Sequence, residues 1–124
     1  MIFYLRASQE FQKVYRLGKR YDGGLMTAFV IANNLPNHRF GITASRKAIG
    51  KAVDRNRARR LLRETFRLRE GVLGELNDKY DWVFNAKRKL PALKAQAAFT
   101  DFEKLVTKVA EEESNPRSSR VKIL

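Results

Sequence analysis

Two kinds of apolar pattern alternate along this chain: segments with a period near 3.6 residues, and shorter runs that are apolar almost throughout. Phe11, Val14, Tyr15 and Leu17 belong to the first kind, and their spacing predicts a short helix with Ser8 as its N-cap and Gly18 as its stop. Tyr21-Asp22-Gly23-Gly24 reads as a turn, and the residues from Leu25 to Ala32 as a strand. Asn33 to Asn37, with Pro36 inside, reads as a hairpin loop and Arg39 to Ser45 as the returning strand, so two paired antiparallel strands are expected here. A long helical stretch from about Lys51 to Arg69 follows Gly50 and is closed by Gly71 and Gly74. Tyr80 to Ala86, aromatic and β-branched, reads as a third strand with the basic loop Lys87-Arg88-Lys89 and Pro91 behind it. From about Lys94 to Glu112, helical periodicity returns, with Ala98, Phe102, Leu105, Val106 and Val109 forming a face that packs on the sheet.

The pattern predicts an α+β fold, a small mixed sheet packed with helices in the order α-β-β-α-β-α, with room for one extra short strand. No internal repeat is present. Residues 1–113 are expected to form a single domain, and residues 114–124, with Asn115-Pro116 and scattered bases, a flexible basic tail. The 124 residues, 44% of them hydrophobic, suffice for one modest core and not for two. The absence of cysteine excludes disulfides and thiolate metal sites and fits a reducing compartment. No apolar run approaches the roughly 20 residues that span a bilayer, and the start Met1 to Leu5 is too short for the apolar part of a signal peptide. A cytoplasmic location is therefore expected.

Charge changes this picture most. Of the net +13, residues 46 to 69 carry +8, from ten basic and two acidic groups. Residues 1 to 45 carry +4, residues 70 to 116 carry −2, and the last eight residues carry +3. Like charge concentrated in one folded segment repels itself, and a polyanion relieves that repulsion while releasing counterions. On a helical wheel Ala58, Leu61, Leu62 and Thr65 share the packing face, opposite Asn56, Arg60, Arg63 and Arg67 with Arg59 beside them. Arg55 and Arg57 lie at the two edges. With only Asp54 and Glu64 as local counterions, the arginine row reads as a nucleic-acid contact surface. The preference for arginine over lysine suits folded RNA, since a guanidinium can grip two phosphate oxygens or lie flat on a base. Taken alone, however, it does not decide between RNA and DNA.

Autonomous catalysis is not expected. His38, the single histidine, sits beside the hairpin loop as a solvated side chain, and the acidic residues show no spacing suited to a metal cage or an acid/base pair. A ribosomal or general structural RNA-binding protein would suit the same composition and fold. A membrane-surface protein suits them less well, because the apolar face is narrow and Leu61-Leu62 belong to the core.

The segment Ala52-Val53-Asp54-Arg55-Asn56-Arg57-Ala58-Arg59-Arg60-Leu61-Leu62-Arg63-Glu64 resembles the signature of the bacterial ribonuclease P protein component, an Arg-Asn-Arg on a helix that follows a strand and a basic loop. Phe11, Val14-Tyr15 and Gly18 resemble that family's first helix, Phe40 to Lys47 its strand leading into the basic loop, and Asp81 to Lys87 its third major strand. The resemblance spans about residues 5 to 110. It implies a fold shared with the second domain of a small-subunit ribosomal protein, including a left-handed βαβ crossover where the ordinary rule is right-handed. It also implies a division of labour. A large RNA subunit, using divalent metal (Mg2+), cleaves precursor tRNA at the 5′ end of the mature sequence, and the protein binds that RNA and the single-stranded 5′ leader without an organic cofactor. Neither a membrane nor an obligate protein partner is implied. Carried over, Arg46, Lys47, Lys51, Arg55, Asn56, Arg57, Arg59, Arg60, Arg63 and Arg67 would contact the RNA subunit. Phe11, Tyr15 and Phe29 would line a leader cleft, and Lys13, Arg16, Lys19 and Arg20 around the first helix would supply the accompanying charge. From the residues alone these three aromatics read first as core, and it is the resemblance that turns them toward the leader. A metal site on the protein itself is left open.

Overall fold

The strand Tyr80–Ala86 is the element around which the others are arranged. In the computed structural model, which describes residues 1–115, this strand, β5, lies at the centre of a sheet with β1 (Phe3–Tyr4), β2 (Lys19–Asp22), β3 (Met26–Ala32) and β4 (Arg39–Thr43). The strand order is β1-β4-β5-β3-β2. β5 runs antiparallel to β3 and parallel to β4, with Val83 opposite both Phe29 and Gly41. Four helices complete the fold: α1 (Ser8–Leu17), α2 (Arg46–Ile49), α3 (Ala52–Arg69) and α4 (Ala95–Glu113).

Side-chain alternation divides β5 between two cores. Trp82 and Phe84 face α3 and α4, where they join Phe40, Phe66 and Phe102. Phe40 and Phe66 stack with centroids 4.5 Å apart, Phe66 and Phe84 are 5.2 Å apart, and Trp82 lies nearly parallel to Phe84 at 5.7 Å. On the opposite face Val83 meets Leu5 and Val14 in a smaller cluster completed by Phe11, Phe29 and Ile31 under α1. The packing face read from the wheel is the one observed: Ala58, Leu61, Leu62 and Thr65 are buried, with Phe66 added.

Several expectations are corrected. β3 and β4 do not form a hairpin pair, because β5 inserts between them. Strands buried on both faces carry no alternation to reveal their neighbours, and their pairing is settled by long-range packing. Tyr21 and Asp22 belong to β2, whose polar side chains conceal a strand held through backbone pairing with β3. The N-cap of α1 is Ala7 and not Ser8, and the Glu10 carboxylate accepts the N–H groups of Arg6 and Ala7 at 2.9 and 3.0 Å. Those two bonds hold the Glu10 carboxyl below its usual range. A separate turn of helix, α2, precedes α3, and Gly50 between them has φ 96°, a conformation that favours glycine. Gly71 and Gly74 lie within a 3-10 turn over Glu70–Glu75 and do not cap α3. The expected tail lies, from residue 116 on, outside the described residues.

His38 is also corrected. It is 8% exposed, and its Nδ1 accepts hydrogen bonds from the Tyr80 N–H at 3.0 Å and the Trp82 indole N–H at 3.1 Å. Two donors on Nδ1 require the neutral ring with its proton on Nε2. Burial, together with the Lys79 charge, pushes the His38 pKa down to about 4.

A depressed histidine pKa leaves the unfolded chain with more bound protons between pH 6.5 and 4, so this contribution to stability is complete above 6.5 and is lost as pH falls toward 4. The shift from 6.5 to about 4 corresponds to roughly 3 kcal/mol. Denaturant unfolding of the native chain and of His38→Gln across that window should show the gap between them narrowing on acidification. A constant gap would contradict the buried neutral imidazole.

Candidate nucleic-acid interface

Arg39 determines where α1 sits. Its guanidinium grips Asp81 through two bonds of 2.9 and 2.7 Å, and its remaining nitrogen donates to Glu10 of α1 at 2.8 Å. Asn33 also donates to Asp81 at 2.9 Å. Glu10 thus links the helix start to β4 and β5, and a partly buried, bidentate pair of this kind holds geometry well. Gly41 beneath the helix allows close approach: a Cβ there would lie 2.6 Å from the Phe11 ring.

Phe11 and Phe29 are half-buried where α1 rests on the sheet, and Tyr15 is 36% exposed with its ring edge-on to Phe29 at 4.9 Å and 78°. The Tyr15 hydroxyl donates to Asn85 Oδ1 at 2.6 Å and lies 2.9 Å from the Thr43 hydroxyl. Arg20 of β2 stands over the Phe29 ring at 5.9 Å. Lys13 and Arg16 are exposed and line a shallow groove along α1 with Gln9, Gln12 and Tyr15. Thr43 and Asn85 were not placed at this site by sequence reasoning. Asn85 did carry a signal, as an amide within an otherwise apolar strand.

The second surface is built on α2 and α3. Arg46, Lys47, Lys51, Asn56, Arg60, Arg63 and Arg67 are exposed. The structure separates the arginines into two groups. Arg55 donates to the Gly50 carbonyl, and Arg57 donates to the carbonyls of Pro91 and Leu93. Arg59 bonds Asn56 Oδ1 at 3.1 Å and the Ala44 carbonyl at 3.3 Å. These three hold the loop before α3 and the turn after β5 in place, and their remaining N–H groups stay available. Arg60 and Arg63, by contrast, have no hydrogen-bond or ion-pair partner among the described residues. Arg67 is 3.6 Å from Glu64, an exposed pair that binds weakly.

The two surfaces adjoin. Thr43 and Asn85 are register partners at the C-terminal ends of β4 and β5, and the chain passes from Thr43 through Ser45 directly into Arg46. Arg88 and Lys89, both exposed, leave β5 at the same sheet end. Such a surface can bind phosphates and stack bases. Among the described residues, no three or more His, Cys, Asp or Glu side chains converge in a way that could hold a metal ion, and no helix is long and apolar enough to cross a membrane.

The sequence profile of the Ribonuclease P family matches residues 3–110. The ribonuclease P protein component of Fusobacterium nucleatum is 39% identical over 105 residues, which is 85% of this chain and 91% of that protein. Among solved structures, the RNase P protein from Thermotoga maritima superimposes with a TM-score of 0.73 at 26% identity, over 85% of this chain and 96% of that one. The Staphylococcus aureus RNase P protein shares the fold, with a TM-score of 0.73 at 20% identity over 88% and 96% of the two chains.

The division of the arginines has a measurable consequence. Arg57→Met removes a donor from the carbonyl of buried Pro91 and should lower unfolding stability by about 1 to 3 kcal/mol, whereas Arg60→Met should change it by about 0.5 kcal/mol or less. Urea midpoints of the two variants distinguish the groups, and equal losses would contradict the assignment.

Proposed function

The chain belongs to the ribonuclease P protein family, and we propose that it docks on the catalytic RNA through α2 and α3 while receiving the single-stranded 5′ leader of precursor tRNA in the α1 cleft. As a member it is the protein subunit of ribonuclease P, the ribonucleoprotein that matures tRNA 5′ ends and whose catalysis is carried out by its RNA. The division of labour agrees with the chemistry of the chain. Its two surfaces offer cations and aromatic rings, while the acids beside the cleft, Glu10 and Asp81, are occupied by Arg39, Asn33 and backbone N–H groups.

The observation that carries the two-site reading is Tyr15. Its hydroxyl is held by Asn85 and Thr43 while its ring remains exposed beside Phe29. A ring fixed in orientation can stack a base without selecting its identity, contributing roughly 1 to 3 kcal/mol per base, as leaders of varied sequence require. Phe11 and Phe29 extend this wall, and Lys13 and Arg16 supply charge for the leader backbone. Arg60, Arg63 and Arg67, with Arg46, Lys47 and Lys51 before them, contact phosphates of the RNA subunit. Arg55, Asn56, Arg57 and Arg59 both order the motif and direct their remaining donors toward RNA. The divalent metal ions of the reaction, Mg2+ in this reading, are assigned to the RNA, which carries out the catalysis in this family. We place the complex in the cytoplasm.

Two measurements test this. The purified chain should leave precursor tRNA intact, yet enable a bacterial ribonuclease P RNA to cleave it at magnesium concentrations too low for that RNA alone. A folded chain that fails to do so would sink the reading. Tyr15→Ala should weaken holoenzyme binding of precursor tRNA by roughly 5- to 100-fold and leave mature tRNA unaffected. Equal weakening of both would remove the leader from the cleft.

A further inference from the structure

The two residues of β1 form one edge of the sheet, next to α3. Tyr4 is the register partner of Phe40, so its ring lies on the α3 side, where its centroid is 6.4 Å from Phe66 at a tilt of 49°. Rings inside the core approach to 4.5 Å; Tyr4 rests against the core without completing it. It remains 36% exposed, and its hydroxyl has no hydrogen-bond partner among the described residues.

A groove of about 490 Å³ opens here, walled by Ile2 and Tyr4 on one side and by Arg63 and Arg67 on the other. That volume is within the roughly 300 to 1,000 Å³ of small-ligand clefts. Glu64 and Glu70 also border it, but each faces a cation: Glu64 lies 3.6 Å from Arg67, and Glu70 lies 3.5 Å from the Met1 ammonium. Among the described residues Arg63 has no counterion, and it lies beside the partly exposed Tyr4 ring. An exposed ring flanked by an unsatisfied guanidinium is the combination that recognises an unpaired nucleotide, the ring taking the base and the guanidinium its phosphate.

We propose that this groove is a nucleobase site, in which Tyr4 stacks on an unpaired base of the RNA subunit while Arg63 and Arg67 hold the adjoining phosphates. The proposal rests on the reading of α3 as the RNA-docking surface and adds base stacking to a contact otherwise made of charge. It also gives β1 a task, since pairing with β4 carries Tyr4 to the flank of α3.

Binding of the full chain to ribonuclease P RNA, titrated over a range of salt, provides the test with three variants. Tyr4→Phe keeps the ring and should bind within about two-fold of the native chain, whereas Tyr4→Leu keeps only apolar bulk and should bind roughly 5- to 100-fold more weakly. Neither should alter the log-log salt slope, while Arg63→Met should reduce it by about 0.7 to 0.9. Because Tyr4→Leu could loosen β1, ultraviolet cross-linking of the native complex gives a second measurement, with a Tyr4–nucleotide adduct expected. Native affinity in Tyr4→Leu, or a Tyr4 peptide free of adduct, overturns the nucleobase site. Should the native chain itself fail to bind the RNA, the α3 docking reading falls as well, so the two failures are distinguishable.

Discussion

The insertion of β5 between β3 and β4 is the constraint on which the rest of this structure depends. One strand supplies Trp82 and Phe84 to the main core and Val83 to the smaller one, so both layers of helices are packed against it. Because β4 and β5 are parallel, the chain between them must travel back across the sheet, and α3 makes that crossing. The arginine row therefore cannot be separated from the core: Leu61, Leu62 and Phe66 bury one side of α3, and the guanidiniums occupy the side that remains. Any sequence change that loosened the aromatic stack of Phe40, Phe66 and Phe84 would also displace the binding surface.

Arginine serves two purposes in this molecule, and placement distinguishes them. Arg39 bridges two carboxylates and ties α1 to the sheet, and Arg57 satisfies backbone carbonyls of the turn after β5. Both act through the planar, multiply donating guanidinium, which lysine could not imitate. Arg60 and Arg63 project from the same helix as Arg57 without such partners. Counting charges along the chain makes these residues look equivalent. Hydrogen bonding separates them: Arg57 is tied into the fold, while Arg60 has no such bond among the described residues.

Adjacency of the two surfaces gives physical meaning to the proposed reading, in which the chain holds the catalytic RNA and its substrate together. Thr43 and Asn85 fix the Tyr15 hydroxyl at the sheet end from which the basic loop departs, so leader and RNA subunit would meet across a few residues. The α1 side offers aromatic rings, suited to bases of any identity, with Lys13, Arg16 and Arg20 around them, whereas the adjoining helix offers mainly guanidiniums, suited to phosphate.

Local signals were sufficient for much of this. Tyr80–Ala86 was legible as a strand to its last residue, and the wheel of α3 separated Ala58, Leu61, Leu62 and Thr65 from the arginines, because helical period and strand length are properties of neighbouring residues. The Arg-Asn-Arg segment likewise carried the family in its own spacing. Strand order, the burial of His38, the pairing that makes β1 and β2 strands, and the Tyr15–Asn85–Thr43 contact were decided only by tertiary structure. Each joins residues far apart in the chain. Tyr15 and Asn85 are 70 positions apart, and His38 and Trp82 are 44 apart. A buried imidazole and a solvated one are the same letter in a loop, and an edge strand of polar residues looks like a turn until a neighbour supplies its hydrogen bonds. The sequence by itself determined α1, α3, α4, β3, β4 and β5 and gathered positive charge on one face of α3; only folding could decide which of those cations are tied into the structure, since that depends on which carbonyls and carboxylates the fold brings within reach.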